Sequence, residues 1–214
     1  MNINSDLKEA IINNKLIVFA GSGMSKGFGL PDWNKMVIET IKIINKPDLN
    51  PFIELLEKGT TISAIDVLEF LKTDEKKVRS FIKDNFRVDA KGDFSLHKKL
   101  LKLTEGKIIT TNYDNSFELA SNNEILPTNP TSKYNINEVS KGNVPFILKL
   151  HGSYSEPDNC IVFKDDYLKL YSEQNDQAAP EKLKILFFAV IFMLATVLNT
   201  KFYVITKSIK IQKN

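Results

Sequence analysis

Three short polar clusters carry the residue types from which a reaction site could be assembled. The first, Gly21-Ser22-Gly23-Met24-Ser25, follows the apolar run 15–20. Glycines after a strand let the backbone turn its N–H groups toward an anion, and a following helix adds the positive end of its dipole. The spacing departs from the dinucleotide fingerprint, because Lys26 holds the third glycine's position and the glycine comes at 27; the Gly-Lys-Ser/Thr of a P-loop is absent as well. Taken alone, the cluster is either an anion turn or a plain tight turn. The second, Thr111-Asn112-Tyr113-Asp114, sets an uncharged amide just beyond another apolar run. Asn112 can hold a water or a sugar hydroxyl there, whereas Asp114 reads as the cap of a helix beginning near 115. The third, Leu150-His151-Gly152, puts an imidazole that titrates near working pH beside a glycine that leaves it room. The other histidine, His97, falls in the middle of an amphipathic helix and reads as structural. With no second His or Cys near His151, zinc ligation is not expected.

The elements that must position these clusters follow from hydrophobic periodicity. The run 15–20 reads as a buried strand, 21–31 as loop, and 32–44 as a helix capped by Asp32. Its apolar face carries Trp33, Met36, Val37, Thr40, Ile41 and Ile44. Residues 48–104 carry helical period throughout, with Pro51 at one helix start and Gly59 at that helix's end. Alternation resumes with a strand at 107–111, a helix at 115–120, and loop or short edge structure over 122–143. A buried strand at 145–150, a short strand at 160–163 and a capped helix at 165–171 complete the ordered pattern. Strands alternating with helices predict an α/β fold: a Rossmann-like, mostly parallel sheet with helices on both faces and an inserted helical subdomain at about 48–104. Ligands in such sheets bind beyond the carboxyl ends of the strands, which gathers the three clusters on one rim.

Composition bounds the function classes. The chain has 214 residues, 43% of them hydrophobic and 26% charged, enough for one domain with a sizeable core. A single cysteine, Cys160, excludes a disulfide framework and a Cys-rich zinc module, and points to a reducing, cytoplasmic setting. The net charge of +3 argues against a nucleic-acid partner. Arg79 and Arg87 are the only arginines, so backbone amides must do most of the holding of any phosphorylated ligand. The N-terminus carries Asp6 and Glu9 and no apolar run, unlike a signal peptide. Over 185–198 every residue is apolar except Thr196. A membrane-spanning helix needs about 20 such residues. The run is therefore expected to be a buried helix, with a membrane anchor as the alternative. Residues 202–205 then have strand character, and 207–214 form a basic tail.

Read together, the clusters resemble the sirtuin superfamily. Gly21-Ser22-Gly23-Met24-Ser25 through Gly29-Leu30-Pro31-Asp32-Trp33 is similar, at unbroken spacing, to the sirtuin Gly-Ala-Gly-x-Ser and Gly-Ile-Pro-Asp-Phe-Arg signature. Thr111-Asn112-Tyr113-Asp114 resembles the Gln-Asn-Ile-Asp element, and Leu150-His151-Gly152 the Leu-His-Gly element. Tyr113 and Trp33 are similar to the sirtuin-like domains of bacterial anti-phage defence proteins. The resemblance implies a sirtuin-like NAD-binding domain over 1–206 that hydrolyses NAD to ADP-ribose and nicotinamide, with NAD as substrate and no metal. It implies His151 and Asn112 as catalytic residues. Ala20, Gly21, Ser22, Gly23, Ser25, Pro31, Asp32, Trp33, Thr111 and Asp114 would contact the cofactor. Homo-oligomerisation and a phage-derived or sensor-domain activator are compatible with it.

Three features depart from the family pattern. The four-cysteine module of the deacylases cannot be built, and Asn34 stands where their arginine is expected. Thr206-Lys207-Ser208 replaces the late Gly-x-Ser turn that receives the adenosine half. The alternative reading is therefore a truncated or degenerate module that binds NAD or ADP-ribose without turnover.

Overall fold

The computed structural model describes residues 5–59, 62–129, 144–171, 190–194 and 203–204. Its sheet contains β1 (Leu16–Ala20), β2 (Lys107–Thr110), β3 (Pro127–Thr128), β4 (Phe146–Lys149), β5 (Val190–Leu194) and β6 (Tyr203–Val204), in the order β3-β4-β2-β1-β5-β6. All neighbours pair parallel except β5 and β6, which pair antiparallel. Ala20 pairs with Thr110, and Thr110 with Lys149, so the carboxyl ends of β1, β2 and β4 finish level. The expected α/β architecture is thus the observed one.

Alternation along the strands sorts the core. Val18, Ala20, Ile108 and Ile147 point to a cluster with Leu100, Leu101, Phe117 and Ala120, from α6 (Ser95–Leu103) and α7 (Ser116–Ala120). Ile17, Ile109, Phe146 and Leu148 form a cluster on the opposite face. These strands are buried along their length, with Phe19 alone half-buried, which is why they read as unbroken apolar runs.

Between β1 and β2 the chain is helical. α2 (Trp33–Ile44) starts where Asp32 accepts a hydrogen bond from the Lys35 N–H at 3.0 Å. It buries Met36, Val37, Ile41 and Ile44 against α3 (Asn50–Glu57), α4 (Ala64–Glu69) and α5 (Glu75–Asn85). The same cluster takes in Tyr113, Cys160, Val162 and Phe163, so the helical segment packs against the loops of the sheet's carboxyl rim. α1 (Ser5–Ile12) precedes β1, and α8 (Lys164–Tyr171) follows the loop after β4.

Three expectations need correction. Ser22–Phe28 is a 3-10 helix rather than loop, closed by Met24 N–H on the Gly21 carbonyl and Gly29 N–H on that of Lys26, both at 3.0 Å. Residues 160–163 form no strand, because side chains and the His151 backbone take their polar groups instead of a ladder. The run expected as a buried helix contains β5, which pairs with β1 along its whole length. A strand between two neighbours is as continuously apolar as a buried helix, so periodicity could not separate them. The rest of 185–198, with 202, 205 and the basic tail, lies outside the described residues. No helix among the described residues is long and apolar enough to cross a membrane.

Candidate active site

Parallel pairing stitches the first two clusters together. The Thr110 hydroxyl donates to the Ala20 carbonyl at 2.9 Å and accepts from the Asn112 N–H at 3.0 Å, while Thr111 N–H reaches the Ala20 carbonyl at 3.3 Å. Asn112 then projects back onto the first turn. Its Nδ2 donates to the Gly21 carbonyl at 3.0 Å and to Ser25 Oγ at 2.9 Å. Ser25 Oγ donates onward to Asp114 Oδ2 at 2.5 Å, and Asp114 Oδ1 accepts from the Ser116 N–H at 2.9 Å. Asp114 stands one residue before the N-cap, Asn115, rather than at it; it accepts from the first N–H of α7 and also anchors Ser25. Because a carbonyl can only accept, the Asn112 amide has one orientation here. Both its hydrogens are used by the protein, and Oδ1, an acceptor, is the atom left for a ligand.

A buried ion pair lies behind this network. Lys149, at the end of β4, donates through Nζ to the Asp114 carbonyl and to Glu118 Oε1, the latter at 3.0 Å. Lys149 is 2% and Glu118 7% exposed, so neither charge is hydrated. Nothing in the one-dimensional pattern marked this pair, since an interior lysine in Phe-Ile-Leu-Lys-Leu looks like the end of a strand.

His151 stands on the third strand end. Gly152 has φ +88°, and a Cβ there would come within 3.0 Å of the Asn159 carbonyl oxygen and of Cys160 Cα. Only glycine fits, and the tight return lets Ile161 N–H reach the His151 carbonyl at 3.0 Å. The imidazole meets the Tyr167 ring edge-on, with centroids 5.2 Å apart. Burial lowers its pKa to about 4, so it is neutral across the physiological range. His97 is structural, as expected: it packs 4.8 Å from the Phe117 ring and 5.3 Å from Phe28.

The rim encloses a cleft of about 230 Å³. Ser22, Ser25, Pro31, Asp32, Trp33, Thr111, Asn112, Asp114 and His151 all line it. Ala20 and Gly21 stand behind, contributing the carbonyls that accept from Thr110 and Asn112, and Gly23 sits within the 3-10 turn. Leu30, Phe86, Tyr113 and Tyr167 complete the lining and were missing from the sequence-based set. Tyr113 stacks obliquely with Trp33 at 6.5 Å and edge-on with Phe86 at 5.4 Å, and its hydroxyl donates to the Ile161 carbonyl at 2.6 Å. Phe86 and Tyr167 carry no local signal, because helix-end aromatics look alike whether they face a core or a cleft. Ligand sites usually span about 300–1,000 Å³, so this cleft suits one end of a dinucleotide rather than the whole. Among the described residues no group of His, Cys, Asp and Glu stands close enough together to hold a metal.

Comparison with known proteins agrees with this geometry. The SIR2-like domain model matches residues 106–197, which include the Asn112 and His151 elements. An NAD(+) hydrolase ThsA of Acinetobacter baumannii is 28% identical over 155 residues, covering 72% of this chain and 30% of that protein. The corresponding protein of Bacillus cereus is 26% identical over 178 residues, covering 80% and 34%. A defense-associated sirtuin 2 of Bacillus subtilis is 26% identical over 182 residues, covering 76% and 16%. The chain thus spans about a third or less of the length of these relatives. Motif order, strand-end placement and sequence similarity agree in likening this chain, over residues 106–197 above all, to SIR2-like domains.

Proposed function

We propose that the chain hydrolyses NAD⁺ to ADP-ribose and nicotinamide, and that it acts in anti-phage defence by depleting NAD. The observation carrying this reading is that Asn112 Oδ1 and a neutral His151 share one cleft beside an aromatic wall. The printed names of the relatives, NAD(+) hydrolase and defense-associated sirtuin, support the substrate and the setting.

The chemistry asks little of an acid. Nicotinamide is a cationic pyridinium in NAD⁺ and leaves neutral, taking the electron pair of the C1′–N bond, while the ribose becomes oxocarbenium-like. The protein must orient the sugar and deliver water to the opposite face. Water adds at C1′ and its proton passes to His151, whose neutral imidazole carries one acceptor nitrogen. Asn112 Oδ1 accepts from the same water or from a ribose hydroxyl, and so orients it. Trp33 and Asp32 border the nicotinamide. The 3-10 turn of Ser22 to Ser25 lies toward the pyrophosphate; a Cβ on Gly21 would meet nothing within 4 Å, which leaves space for a phosphate to approach the backbone. In this reading residues 1–206 act as one NAD-binding domain, and the adenosine half lies outside the 230 Å³ cleft.

The test is incubation of the purified chain with NAD⁺ and measurement of free nicotinamide. The unaltered chain should release it, and His151→Ala should lower turnover about 100-fold or more, the scale for loss of a general base. Equal release by that variant sinks the mechanism. Calorimetric binding without nicotinamide release would replace the hydrolase with a binding module.

A further inference from the structure

The two catalytic candidates differ in what supports them, and the support of His151 leads to a residue outside the cleft lining. Arg79 lies in α5 and is 6% exposed. Its Nε donates to Glu75 Oε1 at 2.7 Å; Nη1 donates to the carbonyls of Pro157 and Cys160 at 2.9 and 2.8 Å; Nη2 donates to Asp166 Oδ2 at 3.0 Å. The guanidinium also lies 5.7 Å from the Phe163 ring centroid. Asp166 Oδ2 in turn accepts from the N–H groups of Val162 and Phe163 at 3.1 and 3.0 Å. One planar fork therefore organises the segment from 157 to 166, a task that a point charge on a flexible stem cannot reproduce.

Two contacts to His151 come from that segment and from the residue that follows it. Ile161, between the clamped Cys160 and Val162, donates its N–H to the His151 carbonyl at 3.0 Å. Tyr167, the residue after Asp166, presses its ring edge-on against the imidazole at 5.2 Å. We propose that Arg79 is a positioning residue for His151, acting through the Ile161 backbone and the Tyr167 ring to keep the imidazole sheltered in the cleft. The assignment rests on the reading that His151 is the working group of the site, and it adds a part for the helical segment between β1 and β2: that segment carries the clamp.

The shelter has its own signature. Burial is what holds the His151 pKa down to about 4. The titratable groups sharing its cleft are Asp32, Asp114, Tyr113 and Tyr167. Asp32 and Asp114 accept from backbone or Ser25 donors, and burial pushes the Tyr113 phenol up. A loosened wall would admit water and return His151 toward its ordinary value of 6.5.

The experiment follows the two imidazoles by proton–nitrogen NMR against pH in the full chain and in Arg79→Lys and Asp166→Asn, with circular dichroism to establish folding. The chain holds two histidines, so His97→Gln assigns both signals. His97 packs among Phe28, Phe94 and Phe117 and serves as an internal reference. In either folded variant the His151 midpoint should rise by about one unit or more while that of His97 stays in place. An unmoved His151 in a folded variant overturns the assignment, as does an equal movement of both histidines, which would indicate general loosening. Failure of both variants to fold makes Arg79 a fold residue and overturns it too. The titration needs no turnover, so absence of nicotinamide release from the unaltered chain would count against the proposed function and not against this assignment.

Discussion

The Asn112 and His151 sides of the cleft are built on opposite principles. On the Asn112 side everything is set by strand ends. Paired β1 and β2 bring Gly21 and Ser25 to the amide, Asp114 closes the network, and Lys149 at the end of β4 braces it from behind. On the His151 side only the strand end is local. The wall that shelters the imidazole is a loop without ladder bonds and the first turns of α8, held by a guanidinium 78 and 81 residues earlier in sequence than the carbonyls it binds. A site can thus be rigid on one side through sheet geometry and on the other through one multidentate side chain.

This contrast can be tested by breaking each side. The largest effect on stability is expected at Lys149→Met, which strands the Glu118 carboxylate in the core and should cost about 3–5 kcal/mol in denaturant unfolding. Replacing Glu118 by leucine as well should recover most of that loss, and no recovery would show that the pair does more than neutralise itself. Next come the two catalytic candidates. Asn112→Ala leaves the Gly21 carbonyl without its side-chain donor and breaks the link to Ser25, so it should lower both nicotinamide release and stability, the latter by about 1–3 kcal/mol. His151→Ala should lower release with little change in the unfolding midpoint. Equal destabilisation by the two would erase the distinction between a structural network and a sheltered base.

The smallest effect is a pH dependence confined to the His151 side. Its pKa is about 4 in the folded chain against 6.5 unfolded, so below pH 6.5 the unfolded state binds the proton first. The stability associated with the neutral imidazole is complete above pH 6.5 and falls as the pH drops toward 4. Between pH 7 and pH 5.5 the loss should be roughly 1 kcal/mol, and it should vanish in His151→Ala. If turnover follows His151, kcat/KM should hold to near pH 4–5 rather than fall at 6.5, within the range where the chain stays folded.

Much of this was legible in the residues. The runs before Gly21, Asn112 and His151 are unbroken and apolar, as buried parallel strands must be, and the rule that ligands gather at carboxyl ends put the three clusters on one rim. Asp32 capped its helix as expected, because a cap depends on residues three positions apart. Val190–Leu194 was misread for the reason that makes such strands easy to find elsewhere: an apolar run shows that a segment is interior, not which backbone it adopts. Phe86, Tyr167, Lys149 and Arg79 were passed over because their parts depend on partners distant in sequence.

What the amino-acid sequence determined by itself is the local vocabulary: where strands end, which turns need glycine, which helix is capped, and the family that the polar clusters resemble. The tertiary structure alone decided which atoms are spoken for. Asn112 spends its hydrogens on Gly21 and Ser25, across separations of 91 and 87 residues, and Arg79 spends its fork on carbonyls 78 and 81 residues away. Hydrogen-bond partners across such distances depend on chain pairing and packing, and donors and acceptors saturate, so the chemistry left to a ligand emerges only after the protein's own bonds are counted.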